Sequence, residues 1–209
     1  MSKQTEGREA NAARQVNNGV IEFMRTRRSV PAKTMTGTDP AAGPGEDEIR
    51  QMIEIAARVP DHGKLAPWRF VRYGADYCVR LGELCEARAV ELNPSMNEDL
   101  RAIERTRFTR APVVIAVIST AAPHPKIPEW EQEMSAGAAA MNLVIAANAF
   151  GYDAQWLSEW LAFDEKLAPA LGLNPGERIA GLIHIGTRSM PKTERDRPQF
   201  EKIYSVYEG

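Results

Sequence analysis

The stretch 133-EMSAGAAAMNLVIAANAFGYDAQWLS-158 carries most of the architectural information in this chain. With the acidic start at Glu129, it reads as one long helix from Glu129 to Phe150. Gly151 stops it by the usual glycine cap. Ala and Gly recur in SAGAAA and AANA, so another backbone can come close. That feature fits tight packing in the core, and it equally fits a helix contact between two copies of the chain. The following YDAQWLS is a candidate strand or turn.

Outward from this helix, helical and extended segments mix. RIAGLIHIGT (178–187) and the β-branched run PVVIAVIST (112–120) read as buried strands, and PWRFVRYG (67–74) as a shorter one. Helices are expected at 13–28, 46–59, 75–92, about 96–108 and 163–171, with Pro60 ending the second. Residues 34–45 form a Gly- and Pro-rich loop, and KIYSVY closes the chain as an amphipathic segment. Four or five strands among long helices give an α/β or α+β sandwich. The expected organisation is a flexible segment over 1–14 and one domain over 15–209.

Composition narrows the function classes. The 209 residues are 44% hydrophobic and 26% charged, which supplies a core and argues against disorder. A net charge of -2 argues against a basic nucleic-acid binder. Two cysteines and three histidines cannot build a four-cysteine zinc site or a disulfide frame, and no metal is expected. Cys78 and Cys85 would lie about 10 Å apart on one helix, too far for a disulfide. They read as reduced packing thiols. The polar N-terminus has no signal-peptide core and no apolar run reaches membrane length, so a cytoplasmic protein without membrane contact is expected. G-x-G-x-x-G, Walker A and G-x-S-x-G motifs are missing.

Three features carry chemistry. Arg27-Arg28-Ser29 follows a helix and suits a phosphate; it also suits a solvated charge pair at a helix C-terminus. RVPDHGKLAPW (58–68) is a constrained polar loop entering a strand; it offers His62 and Lys64 to a planar ligand, or is simply a connector. The small-residue helix is the third. Glu129, Glu131 and Glu133 scatter around the helix axis and make no acid/base pair. His124, between two prolines, could face substrate, and His184 reads as a core histidine.

These segments, in this order, resemble the FMN-dependent nitroreductase family. Arg27-Arg28-Ser29-Val30 is similar to its N-terminal signature. EIRQMIEIAARVPDHGKLAPWRFV, EMSAGAAAMNLVIAANAFGYDAQWLS, GERIAGLIHIGT and the RDRPQFEKIYSVY tail are similar to its successive segments. The resemblance covers about residues 15 to 209, and PDH and WEQEMSAG point to the compact NAD(P)H-nitroreductase subgroup.

The resemblance implies an α+β fold, a nitroreductase-like α/β/α sandwich with a mixed, mainly antiparallel sheet. It also implies an intertwined homodimer with FMN at the interface. Arg27, Arg28 and Ser29 would hold the FMN phosphate and part of the ring edge. Arg58 and His62 would reach the flavin of the other chain's site, with Lys64 nearby as a positive charge. Trp156, Leu157 and Ser158 would pass their backbone near the pyrimidine and N5 side, and Arg188 would be a further phosphate cation. Ala146, Ala147, Asn148, Ala149, Phe150 and Gly151 match a stretch implied in NAD(P) contact. His124, Lys126 and Trp130 would border the open substrate face. Lys64 and Ala66 stand where many members carry Asn and Gln. The implied reaction is ping-pong electron transfer from NAD(P)H through FMN to a small-molecule acceptor, nitroaromatic, quinone or related, with no protein nucleophile. Another reaction on the same fold and a non-catalytic flavin-binding dimer are the competing readings.

Overall fold

The computed structural model describes residues 16–209. Its frame is a four-stranded sheet in the order β1-β2-β4-β3. The strands are β1 (Trp68–Arg72), β2 (Val113–Ser119), β3 (Asp153–Leu157) and β4 (Arg178–Gly186). All three neighbouring pairs are antiparallel, so among the described residues the sheet is not mixed. The helices are α1 (Asn18–Thr26), α2 (Glu46–Ala56), α3 (Ala75–Leu92), α4 (Glu98–Arg105), α5 (Glu129–Ala149) and the short α6 (Phe200–Ile203).

The two central strands, β2 and β4, alternate their side chains between two cores. Ile115, Val117, Ile183 and Ile185 face Met52 of α2 and Leu143 of α5. Val114, Ala116, Ile118 and Leu182 face Leu81 and Cys85 of α3 and the buried Phe108. β2 is buried along its whole length, as its unbroken apolar run requires for a strand covered on both faces. The α/β/α layering is therefore the expected one. α5 lies close to the sheet because Ala136, Ala139, Ala140, Ala146 and Ala147 are fully or almost fully buried. Gly151, at φ 91°, turns the chain out of α5 and into β3.

Element ends differ from the sequence expectation where capping chemistry acts. α1 starts at Asn18 because the Asn17 side chain accepts from Val20 N–H at 3.2 Å, and it stops at Thr26 because Arg27 is extended. α4 starts behind Asn97, whose side chain accepts from Leu100 N–H at 3.0 Å, and ends at Arg105. α2 ends at Ala56, before Pro60. The helix expected at 163–171 is instead a 3₁₀ turn at Trp160–Phe163 followed by successive turns. Pro169 lacks the N–H a helix needs there, and the Asp164 carboxylate draws in the N–H groups of Lys166 and Leu167 at 3.0 and 3.1 Å. The segment 1–14 lies outside the described residues.

Candidate functional site

The segment after α1 runs beside the outer edge of β3. Val30 N–H donates to Ala154 O at 3.2 Å, and Ala32 N–H donates to the Gln155 side-chain oxygen. Val30, Ala32 and Met35 form a small core there with Ala111 and the half-buried Leu157. This anchoring fixes the three preceding residues. Arg27, Arg28 and Ser29 line a cavity of about 230 Å³ together with Met24, Arg25, Arg195 and Arg197. Five arginines from the two ends of the chain thus converge on one small polar hollow.

Two of these arginines play different parts. Arg28 is fully engaged: Nη1 donates to Arg25 O and Arg27 O at 2.8 and 2.7 Å, Nε donates to Glu194 Oε2 at 2.6 Å, and Nη2 pairs with the same oxygen. Arg27 has a buried Nη1 with no hydrogen-bond partner among the described residues. Burial holds its guanidinium below the usual arginine range, and the like charges of Arg197 and Arg28 push the same way. A buried, unpartnered guanidinium nitrogen among other arginines is costly unless an anion joins it. The donor set fits a phosphate group.

The structure places the other expected phosphate cation, Arg188, outside this cradle. Its Nη1 donates to both oxygens of Asp153 at 3.2 and 3.0 Å, and its backbone N–H donates to Asp153 Oδ2 at 3.1 Å. Lys192 Nζ pairs with the same buried carboxylate at 3.1 Å. Arg188 therefore balances Asp153. Arg195 and Arg197, which the sequence reading had only as part of the tail, take the place at the cradle. The RDR run at 195–197 was the available signal.

Trp156 shows how a local irregularity shapes the neighbouring surface. A bulge between Val117 and Ile118 leaves Ala180 unmatched in β4. Its carbonyl accepts the Trp156 indole N–H at 3.0 Å. The indole lies so close over Gly181 that a Cβ there would sit 2.3 Å from Nε1. The side chain is thus folded back on the sheet, while Ser158 is exposed. Trp156 also lines a depression of about 860 Å³ with Met134, Gly137, Phe163 and Leu173. It is the only expected site residue that does.

A second group gathers at the start of α5. Three residues of the 58–68 loop, Gly63, Lys64 and Ala66, have φ of 73°, 56° and 46°. For Lys64 and Ala66 that conformation is strained. The Asp61 carboxylate holds it by accepting from Leu65 and Ala66 N–H at 3.0 and 2.9 Å. Trp68 Nε1–H donates to Ser135 Oγ, and Ser135 Oγ–H donates to Pro60 O, pinning the loop to α5. His62 Nδ1 meets Glu131 Oε2 at 2.8 Å, and Gly63 lies against Ile127. His62, Lys64, His124, Lys126 and Trp130 are exposed on the loops and helix start joined in this way. His124 Nδ1 accepts from Lys126 and Ile127 N–H at 3.2 and 3.1 Å, which leaves its proton on Nε2. Arg58 is exposed at the beginning of the loop, where its carbonyl accepts from Asn142.

The remaining expectations divide between the interior and the surface. Ala146 and Ala147 are buried, so their side chains offer nothing to a dinucleotide. Asn148 spends its Nδ2 on Tyr152 O at 2.9 Å, Phe150 is half-buried, and only Ala149 and Gly151 are exposed. His184 is a core residue: its Nε2–H donates to Arg107 O at 3.1 Å, and burial lowers its pKa. Glu131 and Glu133 have separate partners, His62 and Arg178. No described helix is long and apolar enough to cross a membrane.

The α/β/α sandwich with its antiparallel four-stranded sheet is the nitroreductase fold. The chain belongs to the nitroreductase family, whose model matches residues 38–187. A protein of Haemophilus influenzae, "Putative NAD(P)H nitroreductase", is 35% identical over 177 residues, 84% of this chain and 91% of that one. Among solved structures, a nitroreductase-like family protein of Bacillus cereus superposes with a TM-score of 0.73 at 23% identity, covering 94% of this chain and all 100% of its own. The nitroreductase of Bacteroides fragilis, solved with bound FMN, gives 0.66 at 19% identity, covering 92% and 100%. Both halves of the cradle lie outside the span that the family model matches.

Proposed function

We propose that this protein is an FMN-dependent oxidoreductase that passes electrons from NAD(P)H to a small-molecule acceptor by a ping-pong mechanism. Nitroaromatics, quinones and related compounds are the acceptor class. The observation that carries this reading is the buried Nη1 of Arg27, without a partner among the described residues, in a hollow lined by arginines. Family membership and the names of the relatives supply the redox chemistry, and the cradle supplies a seat for the FMN phosphate.

Bound FMN would accept and donate hydride, so the protein's task is binding and orientation. Arg27, Arg195 and Arg197 neutralise the phosphate. Ser29 adds a hydroxyl, and Arg28 braces the cradle from behind. Lys64, held by the strained loop, would bring a positive charge to the flavin of the partner's site and favour negative charge there. His62, His124, Lys126 and Trp130 border the acceptor's approach.

The reading includes a homodimer in which loop 58–68 completes the partner's flavin site. Its support is apolar surface that the described residues leave uncovered in α1 and the tail. Val20, Ile21 and Met24 of α1 are exposed, as are Phe200, Ile203, Tyr204, Val206 and Tyr207 of the tail. Exposed apolar side chains grouped in this way suit an interface. The two buried free thiols, Cys78 and Cys85, fit a reducing, cytoplasmic setting.

The kinetic test varies NADPH or NADH against a quinone or nitroaromatic acceptor. Parallel double-reciprocal lines are expected. Intersecting lines would contradict the ping-pong scheme.

A further inference from the structure

We propose that Glu194 is the positioning residue of the arginine cradle, a carboxylate that assembles the cations without touching the ligand itself. The inference rests on the reading of the cradle as a phosphate seat. Each oxygen of Glu194 has its own work. Oε2 takes Nε and Nη2 of Arg28, so the guanidinium is gripped along one edge. Oε1 accepts from Arg195 N–H at 2.9 Å and lies 3.6 Å from Arg197 Nη2.

One side chain thereby ties the tail to the segment after α1 across 166 positions of sequence. It brings Arg195 and Arg197 to the hollow that Arg27 also lines. It also offsets part of the repulsion among the clustered guanidiniums, which otherwise pushes the tail away. Arg28 has its remaining donor on backbone carbonyls, so it serves as the post to which Glu194 fastens. The unpartnered Nη1 of Arg27 is left for the anion.

This role makes a prediction opposite to that of simple charge. A carboxylate beside a phosphate repels it, so removing the charge would tighten binding if Glu194 were a bystander. If Glu194 assembles the cradle, its loss weakens binding of the phosphorylated flavin and spares the unphosphorylated one. The experiment titrates FMN and riboflavin into the apo forms of wild type, Glu194→Gln and Glu194→Asp, followed by flavin fluorescence. Thermal melts serve as the folding control.

Glu194→Gln should bind FMN about tenfold more weakly, with riboflavin unchanged and the melt preserved. Glu194→Asp, which keeps the charge on a shorter stem, should fall between the two. Unchanged or tighter FMN binding by Glu194→Gln overturns the proposal, and so does an equal loss for both flavins. If wild type itself does not prefer FMN over riboflavin, the phosphate seat fails, and with it the role of Glu194.

Discussion

Arg27 and Arg28 are neighbours in sequence, yet they do unlike jobs. The run Arg27-Arg28-Ser29 offered two readings in sequence, a phosphate motif or a solvated charge pair, because two guanidiniums and a hydroxyl are close in any conformation. That Arg28 is engaged while an Arg27 nitrogen has no partner among the described residues was not legible, since it depends on Glu194 arriving from the far end of the chain. Arg27→Ala should weaken FMN binding by about ten- to a hundred-fold, the loss expected for a charged hydrogen bond, with riboflavin affected much less. Equilibrium titration checks this, and FMN affinity equal to wild type would remove Arg27 from the phosphate seat. Arg188 shows the reverse case. It follows the last strand as a phosphate cation should, but the buried Asp153 claims it, and no local pattern announced that partner.

Glu177 gives the residue scale a pH signature. Arg69 grips its carboxyl through Nε at 2.8 Å, Asn174 N–H adds a bond at 2.7 Å, and its pKa drops from 4.5 to about 2. A depressed carboxyl pKa stabilises the fold above the unfolded value, and that contribution disappears as pH falls through the folded one. Wild type should therefore lose stability between about pH 4.5 and 2. Glu177→Gln should lose less across that window in urea melts. Parallel losses in the two proteins would show that this pair does not drive the acid transition.

At the scale of elements, periodicity and β-branched runs told most. The unbroken apolar run of β2 and the extent of α3 and α5 were readable, because burial on both faces and helical spacing are local signals. The register was not: the bulge that frees the Ala180 carbonyl for Trp156 arises from pairing between distant strands. Close crossings were equally hidden. A Cβ at Gly82 of α3 would lie 1.9 Å from Arg105 O at the end of α4. Gly82→Ala must push these helices apart and should cost about 1–3 kcal/mol. A chemical denaturation midpoint unchanged by that substitution would contradict the packing of α3 on α4.

For the whole molecule, one chain presents an arginine-lined hollow made from segments 24–29 and 195–197 and a second polar group at the start of α5. The proposed dimer brings the partner's loop 58–68 to each cradle, which explains why uncovered apolar side chains lie at both termini. Family resemblance in the sequence reached this architecture because five segments keep their order. It offered Arg27, Arg28 and Ser29 for a phosphate but gave the tail only as a matching segment, so Arg195, Arg197 and Glu194 had no stated role. The most direct test of the account is the visible spectrum of the FMN-loaded protein under anaerobic NADPH and NADH. The oxidised flavin band should bleach with at least one of them and return when a quinone or nitroaromatic is added. A flavin spectrum unchanged by both nucleotides would contradict the assignment of an NAD(P)H-dependent oxidoreductase.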